Sequence, residues 1–143
     1  MNDADTLLRL SVSHGATLRQ FVSDSAVSVI LVQSPAECLT CTDNLSDWVN
    51  VANSRHGQLA VILTQDPDSN LSTLLGKLRI THATLTKSDA ARVRGVAPIV
   101  AVFVGRTPLV FGLQLTTRSR AALLDSTKKL LHMKNTTVAT TSQ

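Results

Sequence analysis

Aromatic residues are scarce in this chain of 143 residues: three Phe, one Trp and no Tyr. The interleaving of aromatic and basic side chains that single-strand nucleic-acid binders use for base stacking is therefore missing. The net charge of +4 and the basic residues Arg92, Arg94, Arg118, Arg120, Lys128 and Lys129 read as a solvated surface, so no nucleic-acid partner is expected. No apolar run reaches the length of about 18 residues that a membrane-spanning helix needs, so no membrane partner is expected either. Cysteine is limited to two residues, whereas a closed structural zinc site needs four ligands. No second C-x-x-C is present, and His14, His56, His82 and His132 stand at no ligand spacing. The expectation is no metal and no cofactor. The first residues, Met1-Asn2-Asp3-Ala4-Asp5, lack the basic start and apolar stretch of a signal peptide, which makes the cytoplasm the expected location. No internal repeat is visible.

What the chain does have is 43% hydrophobic and 17% charged residues, a balance that suits one globular domain. Residues 1–134 are expected to form it. Residues 135–143 are Thr-rich and uncharged, and are expected to be a flexible tail. The two cysteines lie three residues apart, in Cys38-Leu39-Thr40-Cys41. Before them runs the β-branched apolar stretch Val27-Ser28-Val29-Ile30-Leu31-Val32, of buried-strand type. After them Leu45, Trp48, Val49 and Ala52 recur at helical spacing, which makes Trp48 a core residue. The pair thus falls where a central strand hands over to a helix N-terminus. Unpaired backbone N–H groups and the helix dipole favour an anion there, so a thiol can ionise near neutral pH. In redox motifs of this spacing the attacking thiol has a pKa of roughly 3.5 to 7 instead of about 8.5.

Along the rest of the chain, Leu8, Leu10 and Val12 alternate, predicting a short first strand over 7–12. Leu18, Phe21 and Val22 give one face to a short helix over about 17–25. The helical pattern after the cysteines runs out at Arg55-His56-Gly57, a basic last turn with a Gly stop. Leu59-Ala60-Val61-Ile62-Leu63 predicts a second buried strand. A loop ending in cap-type residues, Asp66 to Asn70, precedes the helical spacing of Leu71, Leu74, Leu75 and Leu78. Ala83 to Leu85 is a brief extended piece, and Ser88 caps a helical stretch that stops at Gly95. Pro98 to Val104 and Leu109 to Leu115 are strands joined by Gly105-Arg106-Thr107-Pro108, a hairpin, and a helix over about 117–133 closes the chain. Strands spaced by helices and followed by a hairpin make an α/β sandwich with a mixed sheet.

A strand, a C-x-x-C, a helix, a strand, a helix and then a proline ahead of a hairpin and final helix resembles the thioredoxin superfamily. Ser34-Pro35-Ala36-Glu37 before Cys38, and Gly95-Val96-Ala97-Pro98 before the hairpin, resemble its redoxin and TlpA-like branch. The resemblance implies a three-layer thioredoxin-like sandwich. It implies Cys38 as nucleophile, Cys41 as resolving thiol, and Ala97 and Pro98 as substrate-binding residues, with Pro98 a cis-proline beside the disulfide. It also implies thiol–disulfide exchange with a disulfide- or dithiol-containing protein substrate and a separate redox partner. The sequence departs from the thioredoxin pattern at Leu39-Thr40 between the cysteines and at Glu37 before them. Val32 and Gln33 stand where thioredoxins carry a buried acid, and Ala97 adds one residue to the turn before the proline. Two alternatives stay open: a peroxiredoxin-like thiol peroxidase, with Arg94 as a nearby cation, and a non-catalytic interaction module. The peroxidase pattern Pro-x-x-x-Thr-x-x-Cys does not fit Pro35, Thr40 and Cys41.

Overall fold

A computed structural model describes residues 3–35, 42–94, 98–113 and 117–141, with side chains at 42–44, 117 and 134–141 left aside. The chain starts with a helix. In α1 (Ala4–Leu8) the side chain of Asp3 accepts a hydrogen bond from the Thr6 N–H, at 2.7 Å. That hydrogen bond is the main cause holding the Asp3 carboxyl below its ordinary pKa. The short first strand expected here is not formed. Leu7 and Leu8 are both buried, which a strand with one buried face does not allow, and the cap at Asp3 selects a helical turn. Extended pairing is limited to isolated bridges, Ser11 to Thr17 and Val12 to Leu85. The helix expected over 17–25 is a single 3₁₀ turn, Leu18–Phe21.

Five strands follow: β1 (Val27–Gln33), β2 (Gln58–Leu63), β3 (Thr81–Thr84), β4 (Ile99–Val104) and β5 (Thr107–Leu113). They form one sheet in the order β3-β2-β1-β4-β5. β1, β2 and β3 run parallel, and β4 and β5 are antiparallel additions, so the sheet is mixed. β1 is buried along its whole length, its polar Ser28 and Gln33 included, and β2 from Leu59 onward, as the apolar runs at 29–32 and 59–63 require of central strands. β4 and β5 are joined through Gly105 and Arg106 alone, so Thr107 and Pro108 already belong to β5. A bulge between Val102 and Phe103 leaves Leu109 without a partner and lets Pro108 sit in an edge strand.

The helices are α2 (Thr42–Asn53), α3 (Ser69–Lys77), α4 (Lys87–Val93) and α5 (Thr117–Thr141). The helical backbone of α5 continues past Met133, where its pattern was expected to end. On one face of the sheet, Val29, Leu31, Val61 and Leu63 pack with Leu45 and Trp48 of α2, Leu71 and Leu75 of α3 and Leu131 of α5. On the other, Ile30, Val32, Ile62 and Ile99 pack with Leu7, Leu10 and Leu18 of the N-terminal segment and with Ala90 and Val93 of α4. Trp48 is fully buried, the core position its spacing predicts. Helices on both faces of a mixed sheet make the three-layer α/β sandwich. No described helix is long and apolar enough to cross a membrane.

Candidate functional site at the end of the parallel strands

The carboxyl ends of β1, β2 and β3 lie at one end of the sheet, because parallel strands end together. The C-x-x-C occupies the sequence between the last residue of β1, Gln33, and the first of α2, Thr42. Cys38, Cys41 and Ala97 lie outside the described residues, and so does the Ala97–Pro98 peptide bond. Pro98 itself is described and half-buried. It directly precedes β4, and Val32 of β1 pairs with Ile99 of β4. An antiparallel register then sets Pro98 level with Gln33, where the chain leaves β1 for the cysteine motif. So the proline, distant in sequence, shares the end of the sheet to which the motif is attached.

Two features of this end were not anticipated. The first is Gln33, 1% exposed, whose Nε2 has no hydrogen-bond partner among the described residues. Side chains alternate along a strand, so Gln33 points to the same face as Val29 and Leu31, the face covered by α2. Its signal in the sequence was faint: one polar residue closing an apolar run.

The second is a cleft of about 690 Å³ beside the carboxyl ends of β2 and β3. Thr64, Gln65 and Asp66 line it after β2, with Thr84 at the end of β3 and Leu85 and Thr86 after it. Ser13 of the N-terminal segment and Lys87, Ala90 and Arg94 of α4 complete it. The Thr64 N–H donates to the Gln33 carbonyl at 3.2 Å, which ties the cleft wall to the end of β1. The N-terminal segment is fixed against the opposite wall. Ser13 N–H donates to the Thr84 carbonyl and Thr86 N–H to the Ser11 carbonyl, both at 2.9 Å. Ser11 N–H in turn donates to Oδ2 of Asp89 at 2.7 Å, anchoring the segment to α4. Among the described residues no group of three or more His, Cys, Asp or Glu side chains could hold a metal ion.

No protein-family model and no curated protein matches the sequence. Solved structures do match the architecture. A secreted Mycobacterium tuberculosis disulfide oxidoreductase homologous to E. coli DsbE aligns with a TM-score of 0.55 at 16% identity, over 88% of this chain and 99% of that one. The fold is thioredoxin-like. An uncharacterized thioredoxin-like protein from Porphyromonas gingivalis gives 0.54 at 12% identity, over 87% and 89% of the two chains. The Xanthomonas campestris bacterioferritin comigratory protein, studied for alkyl peroxide reduction, gives 0.52 at 13% identity, over 90% and 98%. Each likeness concerns the path of the backbone. These alignments span nearly the whole of those chains, so the three-layer sandwich expected from the order of strands and helices is the architecture this chain has.

Proposed function

We propose that this chain is a thiol–disulfide oxidoreductase in which Cys38 is the nucleophile and Cys41 the resolving thiol. The observation that carries the reading is the junction just described. The motif stands between a buried central strand and a helix of twelve residues, at the end of the sheet where β4 brings in Pro98. The motif directly precedes Thr42 of α2 in the sequence, and a thiol at a helix N-terminus is favoured as a thiolate by the helix dipole and unpaired N–H groups. The disulfide oxidoreductase and peroxide reductase among the structural neighbours support redox chemistry on this fold in general.

In the proposed cycle the Cys38 thiolate attacks one sulfur of a substrate disulfide. The substrate S–S bond breaks, a mixed disulfide forms, and the other substrate sulfur leaves as a thiolate that takes a proton from solvent. Cys41 loses its proton to solvent and attacks Cys38 of the mixed disulfide. The substrate leaves fully reduced, and two electrons have passed from the enzyme dithiol to it. An external dithiol must then reduce the Cys38–Cys41 disulfide, or the cycle runs backward as an oxidation. Ala97 and Pro98 are the proposed backbone contacts for an extended substrate.

The test is insulin reduction with dithiothreitol as donor, combined with trapping. Cys41→Ser should accumulate stable mixed disulfides through Cys38, and Cys38→Ser should accumulate few. Equal trapping by both variants overturns the assignment of roles. Rapid hydrogen peroxide consumption that needs one cysteine alone replaces the reading with a thiol peroxidase.

A further inference from the structure

The cleft beside β2 and β3 has a charge pattern that the exchange chemistry leaves unused. Its volume lies within the roughly 300–1,000 Å³ range of ligand sites. Lys87, Ala90 and Arg94 fall at i, i+3 and i+7, so they share one stripe of α4 and its C-cap. Ala90 is buried and short, which opens the floor, while Lys87 and Arg94 are exposed at either end. Seven residues of helix separate the two cations by about 10 Å along the axis. Among the described residues neither cation is in an ion pair. Their neighbour Arg92, off the stripe, is paired with Asp89 at 3.2 Å. The facing wall carries hydroxyl groups of Thr64, Thr84 and Thr86, a residue type that can donate to an anion, while the Ser13 hydroxyl donates to the Thr84 carbonyl at 3.4 Å. Among the described residues Asp66 is the one carboxylate in the lining, and it leaves a net positive charge there.

We infer that this cleft seats an extended acidic segment of the disulfide-bearing substrate, with two carboxylates against Lys87 and Arg94. This rests on the exchange reading for its role in turnover. An extended chain rises about 3.3 Å per residue and alternates its side chains, so carboxylates four residues apart lie on one side about 13 Å apart, a span that the two long cationic side chains can meet. The wall formed by Thr64 is one hydrogen bond from the end of β1, so a segment lying in the cleft adjoins the strand that leads to Cys38. The binding is electrostatic, acting through exposed cations and neutral donors, and it therefore weakens with salt. Basic substrates are disfavoured by the same two charges.

The probe is the thiol-free peptide acetyl-Glu-Ser-Ala-Ser-Glu-amide, titrated into the protein and followed by backbone amide shifts. Saturable shifts are expected at Thr64, Thr86, Lys87 and Arg94, with binding weakened by added salt. Lys87→Glu together with Arg94→Glu should weaken it about tenfold or more, as removal of two exposed charge pairs predicts. Lys87→Gln with Arg94→Gln, a milder change on the same exposed positions, should weaken it in the same direction. Equal binding of acetyl-Lys-Ser-Ala-Ser-Lys-amide, shifts confined to other residues, or no saturable binding overturns the inference. Because the peptide has no sulfur, this result is independent of the exchange chemistry. Reduction of uncharged hydroxyethyl disulfide by the wild-type protein tests that chemistry without engaging either cation.

Discussion

Gln33 ends the central strand with a carboxamide that the fold neither exposes nor fully satisfies. It is 1% exposed and its Nε2 donor has no partner among the described residues, at the point where the chain leaves β1 for the cysteine motif. A buried donor left unmade costs roughly 1–3 kcal/mol, so the residue lowers stability where an apolar one of equal length would not. Methionine is such a residue: unbranched, close in volume and without a donor. Gln33→Met is expected to raise stability in urea denaturation by about 1 kcal/mol. A loss of similar size would mean that Nε2 has a partner in the native protein, in the segment leading to Cys38. Measuring the reduction potential of the Cys38–Cys41 pair in the same variant then separates a packing effect from one on the thiols. An unchanged potential assigns Gln33 to packing alone.

At the scale of elements, two helices in this chain stop in the same way, and glycine is not the left-handed residue in either. After α2, Gly57 N–H donates to the Ala52 carbonyl at 2.8 Å and His56 N–H to the Asn53 carbonyl at 3.1 Å. After α3, Ile80 N–H donates to Leu75 and Arg79 N–H to Gly76, at 3.0 and 3.1 Å. These are Schellman closures, with His56 at φ 55° and Arg79 at φ 56° in the position that glycine usually takes. The Gly stop read at Gly57 was therefore the right place for the wrong reason. Gly57 has an ordinary φ and is needed because a Cβ there would lie 2.1 Å from the Val27 carbonyl oxygen. The basic last turn is also displaced, since α2 ends at Asn53 and Arg55 and His56 belong to the turn beyond it. His56→Gly should stabilise by about 0.5–1 kcal/mol, the relief of a left-handed side chain less the added freedom of the unfolded chain. Gly57→Ala should destabilise by about 1–3 kcal/mol or more, because backbone must move. Thermal unfolding of the two single variants checks both signs, and shifts in the same direction would contradict this account. Such reversals show why element types were legible and their punctuation was not. Unbroken apolar runs mark β1, β2 and β4 unmistakably, whereas β3 is an edge strand with Thr81 and His82 exposed, and its sequence carries little of that signal. The cleft was illegible for another reason: its lining comes from three separate stretches of chain, and nothing local announces their meeting. Arg92 and Arg94 looked alike in the sequence, and only the helix sets one against Asp89 and the other over the cleft.

For the molecule as a whole, the sheet has two covered faces, and the N-terminal segment supplies much of one of them. Leu7, Leu10 and Leu18 are fully buried against Ile30, Ile62 and Ile99, as Leu71 and Leu75 are against Val61 and Leu63 on the other face. The segment also makes one wall of the cleft through Ser13, and the hydrogen bonds of Ser11 with Thr86 and Asp89 fix that wall to α4. A segment that merely decorated a finished domain could be loosened without consequence for global stability. This one is part of the core. Leu10→Ala removes buried methyl groups from the centre of the second layer and is expected to cost about 2–5 kcal/mol, the range for a core leucine. Leu75→Ala, in the first layer, should cost a similar amount, and each variant should still unfold in one cooperative transition. The comparison is made by urea denaturation followed by far-UV circular dichroism and by Trp48 fluorescence, which reports from the first layer. Coincident transitions by the two probes in Leu10→Ala mean that a defect in the second layer is felt by the whole sheet. A Trp48 transition at the wild-type midpoint, with the loss confined to circular dichroism, would make the N-terminal segment a separately folding appendage. Because β1 carries Ile30 and Val32 on one face and Val29 and Leu31 on the other, the coupled outcome follows from the sheet itself: the strand that leads into Cys38 is wedged between both layers.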